Sequence, residues 1–168
     1  MKSLLVPLAL VCLLCLFGAP ASTTAAPGPT TLEGRWRLSE QYYGDGRHDF
    51  QGPGDRLEVV FRSEGAGLSG RVMWADDLEA AWPAYPAPEG AARVEQVQTT
   101  VALDLRSATA RYRVLPAPGD DTYLLVEEQW TVTAADRLEC RVSLRFERQG
   151  RVKGGFAWRR VFVREAGR

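Results

Sequence analysis

The chain has 168 residues, in which 21 Lys and Arg balance 21 Asp and Glu for a formal net charge of +0. That length supports one domain and leaves no room for a second, and arginines spread along the chain without a basic cluster speak against a nucleic-acid partner. Asn and Ile are absent, which excludes N-glycosylation and, with arginine far outnumbering lysine, reads as the codon bias of a GC-rich bacterial genome.

Met1-Lys2, the apolar run Leu4 to Phe17 and the small residues Ala19-Pro20-Ala21 read as a secretory signal peptide over 1–21. The apolar run is shorter than the about 20 residues that a membrane span needs. The expectation is therefore an exported chain, periplasmic or extracellular, with no membrane span after cleavage. Losing Lys2 takes the charge to about −1. Losing Cys12 and Cys15 leaves Cys140 alone, so no intramolecular disulfide can form and stability must come from an apolar core. Residues 22–31 are small, polar and Pro-rich, a flexible leader. A single domain is expected over 32–168.

The first strand spans about Glu33 to Tyr43, with Trp36, Leu38, Glu40 and Tyr42 on the inward face. Leu57, Val59 and Phe61 alternate with charged residues in a second strand, and Leu68, Gly70, Val72 and Trp74 form the inward row of a third. Residues 75–92 carry Trp82, Pro83, Tyr85, Pro86 and Pro88 and read as a long aromatic loop with one helical turn near Asp76 to Ala81. Val97, Thr99, Val101, Leu103 and Leu105 form a fourth inward row, and Ala110, Tyr112 and Val114 a fifth. The sixth holds Leu124, Val126, Glu128, Trp130 and Val132. The seventh, Leu138, Cys140, Val142, Leu144 and Phe146, alternates most cleanly, and Phe156, Trp158, Arg160 and Phe162 complete an eighth.

Eight consecutive strands with one apolar face each, no crossover and no amphipathic helix predict an all-β fold, an eight-stranded antiparallel up-and-down meander barrel. In a meander, alternate loops share an end. Loops 44–55, 75–92, 116–121 and 149–153 then form an elaborated mouth, and the short turns 64–67, 106–107 and 133–137 a tight floor. The same bookkeeping places Trp36 and Arg160 together at the floor, where a guanidinium over the indole is worth about 0.5–2 kcal/mol.

Leu32-x-Gly34-x-Trp36-x-Leu38, in an exported chain of this size with an arginine late in the final strand, resembles the opening of the lipocalin and wider calycin group of small barrels. The resemblance implies a barrel that holds a small, often apolar molecule inside, with the Gly-x-Trp strand and the late arginine closing the floor. Two departures go with it: no Thr-Asp-Tyr-type second motif occurs near the later turns, and the expected barrel has no C-terminal helix.

The candidate ligand-binding residues are Glu40, Tyr42, Trp74, Tyr112, Glu128, Trp130, Phe146 and Phe156. Glu40 and Glu128 face inward at mid-barrel on the alternation, and a buried carboxylate must find a partner or change protonation. They could satisfy interior polar groups, contact a ligand, or act as a general acid/base pair. No metal or cofactor is expected: His48 is the only histidine, and Asp76-Asp77 with Glu79, or Asp120-Asp121, lack the spacing of a dedicated calcium loop. Cys140 reads as an inert core thiol. Trp74, Trp82 and Tyr85 fit equally a lid over a pocket or packing over the barrel end.

Three functional readings follow. The first is a secreted binding protein, not an enzyme, that holds a small apolar or amphipathic ligand in its interior. The second is a protein-interaction module, an inhibitor or assembly partner with a solid core, that binds its protein partner through the leader or loop 75–92. The third, an enzyme, requires Glu40 and Glu128 within about 5–10 Å of each other beside an open pocket.

Overall fold

The structure, a computed structural model, describes residues 30–44, 46–48, 56–65, 67–87, 90–115 and 121–166. The signal segment, nearly all of the leader and much of the loops 44–55 and 116–121 lie outside the described residues. Strands β1 (Gly34–Tyr43), β2 (Gly46–His48), β3 (Arg56–Glu64) and β4 (Gly67–Trp74) come first, then the short β5 (Glu79–Ala81), β6 (Pro86–Ala87) and β7 (Gly90–Ala91). They are followed by β8 (Val94–Val101), β9 (Ser107–Val114), β10 (Thr122–Ala134), β11 (Arg137–Arg148) and β12 (Arg151–Arg164). The described residues contain no helix.

Nine antiparallel strands run in the order β5-β4-β3-β1-β12-β11-β10-β9-β8, with β2 paired to β1. The meander expected from the alternation is present, and the first and eighth predicted strands pair along their length, from Trp36↔Arg164 to Tyr43↔Trp158. The ring does not close. β4 pairs with β5 and β8 only with β9, so the strongly curled sheet is an open half-barrel and not the expected closed eight-stranded barrel. In place of the expected helical turn at Asp76 to Ala81 there is a turn at 75–76 that leads into β5, and Pro86–Ala87 pairs with Gly90–Ala91 in a ribbon of its own.

Trp82 and Ala84 turn in from loop 75–92 and join the core on the concave face. Trp82 donates its backbone N–H to the Gly70 carbonyl at 2.8 Å, and its ring meets Phe61 edge-on at 5.2 Å. A Cβ at Gly70 would come within 2.9 Å of the Phe61 ring and 3.0 Å of Trp82 Cβ, so only glycine lets the loop approach the strand this closely.

The floor is filled by buried aromatic side chains. Trp36, Phe61, Trp130 and Phe162 are each at most 1% exposed, and Trp130 stands 5.3 Å from both Phe61 and Phe162. The arginine over Trp36 is Arg164, not Arg160: its guanidinium lies 4.0 Å from the indole and donates to the carbonyls of Glu33 at 2.6 Å, Thr31 at 2.7 Å and Ala135 at 2.9 Å. Arg160 and Arg164 lie four residues apart on the same face of β12, and the register that pairs Trp36 with Arg164 and Gln41 with Arg160 puts the later arginine over the indole. Gly34 has φ +122°, and a Cβ there would sit 2.6 Å from the Arg164 Nη1, which gives the Gly-x-Trp spacing its physical reason.

Three register shifts reverse the expected facing of particular residues. A β-bulge places two residues on one strand against one on its partner, so the side-chain parity flips beyond it. In β1 the shift lies between Leu38 and Glu40: Trp36 and Leu38 point inward, as do Gln41 and Tyr43, whereas Glu40 and Tyr42 move to the outer face. In β3 the shift between Arg56 and Glu58 buries Arg56 and leaves Leu57 39% exposed. In β8 the shift between Glu95 and Gln98 breaks the predicted fourth row, with Val97 46% exposed and Leu103 fully exposed in the turn that follows.

Candidate functional site

β3 delivers Arg56, β9 Tyr112, β10 Glu128 and Trp130, and loop 75–92 Trp82, to one point inside the sheet. Glu128 is fully buried. Its Oε1 accepts from Arg56 Nη2 and from the Tyr112 hydroxyl, both at 2.6 Å, and its Oε2 accepts from the indole N–H groups of Trp82 and Trp130, both at 3.0 Å. Arg56 Nη2 also reaches the Ala84 carbonyl at 2.5 Å. Four donors on one carboxylate repay its desolvation.

Burial alone would raise the Glu128 carboxyl, but Arg56 and the hydrogen-bond donors outweigh it and hold the group below the usual carboxylate range. The same pairing holds Arg56 charged despite a large opposing effect of burial. Burial, then the Glu128 charge, pushes both the Tyr112 hydroxyl and the Cys140 thiol well upward. Cys140 is a buried, un-ionised core group.

Above this cluster, toward the mouth, lies a cavity of about 230 Å³. Its walls run from buried Arg56, Trp74, Tyr112 and Glu128 to half-buried Tyr43, Tyr85 and Trp158 and to Phe156, which is 49% exposed. Phe156 stacks on Trp158 at 5.3 Å and packs against Phe146 at 5.9 Å. Arg160 lines the same space and donates from Nε to Gln41 Oε1 at 2.5 Å. Burial and neighbouring Arg56 lower the Arg160 pKa. A larger groove of about 440 Å³ runs over the outer face of β10–β12, where Arg141 pairs with Glu139 at 2.8 Å. Its charges are solvated and matched to one another, and the interior cavity is the better candidate.

Of the residues expected to bind a ligand, Trp74, Tyr112, Glu128 and Phe156 line the cavity. Trp130 lies beneath as a donor to Glu128, and Phe146 supports Phe156. Glu40 and Tyr42 do not reach the interior: the Tyr42 hydroxyl donates to Glu40 on the outer face, Arg137 stands 3.8 Å from that carboxylate, and Arg159 lies 4.4 Å over the Tyr42 ring. Glu40 and Glu128 therefore lie on opposite faces of the sheet, and the acid/base pair that the enzymatic reading needed is not assembled. Arg160, expected at the floor, sits beside the cavity.

Arg56 and Trp82 are the members of the cluster that the alternation did not place. Arg56 had a signal in the chain, because an inward Glu128 demands a cation, and an arginine at the head of the second strand is within reach once the parity there is reversed. Nothing in the pattern of loop 75–92 marks Trp82 above Tyr85 as the residue that enters. Among the described residues no group of His, Cys, Asp and Glu is arranged to hold a metal ion. The chain matches no family model, and neither a curated protein nor a solved structure is significantly similar to it. What it shares with the lipocalin-like barrels is the all-antiparallel, strongly curled sheet, without a family assignment.

Proposed function

We propose that this is an exported, non-enzymatic binding protein that holds a small amphipathic molecule in the mouth-end cavity. The observation that carries the reading is the contrast within the concave face: a space of about 230 Å³ with aromatic walls lies above a floor of fully buried aromatic side chains. Pockets of this kind bind ligands through apolar walls and a few placed polar groups. Glu128, saturated by four donors, has a structural role and is unsuited to proton transfer. Native mass spectrometry of the exported protein, before and after organic extraction, tests the reading. A co-purifying small molecule lost on extraction is the expected result, and an empty protein that gains no mass from any small-molecule mixture overturns it.

The interaction-module reading gains support from the open side of the half-barrel. Among the described strands β8 pairs only with β9, and its run Gln96 to Thr100 is exposed, which leaves an edge for strand addition by a protein partner. Backbone amides of β8 that exchange rapidly in the free protein and become protected with a bound partner are the signature of this second reading.

A further inference from the structure

Among the described residues the curled sheet ends at β5 and β8, and the two edges are built differently. β5 is three residues long, carries Glu79 in an ion pair with Arg71 at 2.9 Å, and runs at once into Trp82 and Pro83, all of which blunt it against a further strand. β8 has its register shift between Glu95 and Gln98 and is unguarded beyond it. From Gln96 to Leu103 the chain holds no charged residue and no proline. Gln96 to Thr100 are exposed, and the apolar side chains of Val97, at 46%, and Leu103, at full exposure, stand in solvent.

The register says which backbone groups this edge offers. Ala102 donates its N–H to the Ser107 carbonyl at 2.9 Å, and the pairing with β9 runs without a shift from Gln98↔Arg111 to Val101↔Ala108. In an antiparallel ladder, residues bonded to the neighbouring strand alternate with residues whose N–H and C=O point the other way. Gln98, Thr100 and Ala102 therefore face β9, while Thr99 and Val101 turn both backbone groups outward, where no described strand pairs with them.

We propose that the occupant of this edge is β8 of a second copy of the chain, paired antiparallel about a two-fold axis at Thr100. This rests on the reading of β8 as an open edge for strand addition and names the partner. With that axis Thr99 stands opposite Val101 of the second copy and Val101 opposite its Thr99, so the outward groups of each copy satisfy those of the other. The same register sets Val97 against Leu103 of the second copy, at both ends of the contact. Thr100, whose neighbour Thr109 alternates with buried Ala108 and Ala110, points away from the core and meets its own counterpart. An axis between two residues would set an outward residue against one bonded to β9 and lose the backbone bonds. An axis at Thr99 or Val101 would leave Val97 and Leu103 unmatched.

The test follows the full exported chain by sedimentation through a dilution series, beside its Thr100→Lys and Thr100→Glu variants. The parent is expected to form a dimer that dissociates on dilution. Each variant sets like charges against each other at the axis and should weaken the dimer about fivefold or more. An equimolar mixture of the two variants should recover it, because Lys then faces Glu. Amide hydrogen exchange gives a second readout: Thr100 and Ala102 are protected in monomer and dimer alike, Thr99 and Val101 only in the dimer. A dimer that neither substitution weakens, or one that leaves Thr99 and Val101 unprotected, overturns the proposal. A monomer at every concentration with rapid exchange at Thr99 and Val101 also overturns it and leaves the edge open to a foreign strand. A monomer in which both amides are already protected overturns the open-edge reading as well.

Discussion

Phe61, Trp130 and Phe162 at the floor are at most 1% exposed and interlock at 5.3 Å, whereas Phe156 and Trp158 at the mouth are partly exposed and stand around open space. Phe162 shares the inward row of β12 with Phe156 and Trp158, and Trp130 and Trp158 are the same residue type. The difference lies in their polar atoms. The indole N–H groups of Trp36 and Trp130 have acceptors at 2.7 and 3.0 Å, while those of Trp74 and Trp158 have none among the described residues. Burial with satisfied polar atoms marks a region that holds the fold together; burial with unsatisfied ones marks a region arranged for something else.

The contrast can be broken first at the floor. Trp130→Ala should cost about 3–5 kcal/mol from lost burial and the cavity left behind, read by chemical denaturation. Glu128→Gln at the boundary should cost about 3–5 kcal/mol, because it leaves the Arg56 charge buried without a counter-ion. Gly34→Val, which combines a disfavoured φ with collision against Arg164, should cost about 1–3 kcal/mol. At the mouth, Phe156→Ala should change stability by less than about 1 kcal/mol. A mouth variant as damaging as Trp130→Ala would abolish the distinction.

Acid titration sharpens the boundary between the two regions. The Glu128 carboxyl is lower in the folded than in the unfolded state, so the unfolded chain binds the extra proton and stability rises with pH. Its contribution is fully present above the unfolded value of about 4.3 and is lost as pH falls through the lower folded value. Denaturant midpoints between pH 7 and 3 should show this loss, and the Glu128→Gln variant should show a shallower one.

The strand rows, their order and the β1–β12 pairing were legible because alternation survives wherever the register is unbroken: Trp36, Trp74, Tyr112, Glu128 and Leu138 all face as their spacing predicts. Glu40, Tyr42 and Leu57 do not, for a single physical cause. A bulge adds one residue without changing the composition around it, so hydropathy gives no sign of where parity reverses. The open side was hidden for another reason. Whether β4 and β8 meet depends on what residues 75–92 do, and their prolines argued against pairing that β5 nevertheless makes. In the cavity, Glu128 was readable from its place in the row, while Arg56 required asking which cation a buried carboxylate must have.

The β1–β12 seam constrains how the chain can acquire its shape. Gly34–Tyr43 finds its longest partner in Arg151–Arg164, the most distant strand along the chain, and Arg164 from that strand completes the packing on Trp36. Contacts so remote in sequence demand early loss of chain entropy and slow the approach to the native state. During synthesis, β1 must wait with one flank unsatisfied until nearly all the described residues have been made, so the β1–β12 seam is the last part of this sheet to form.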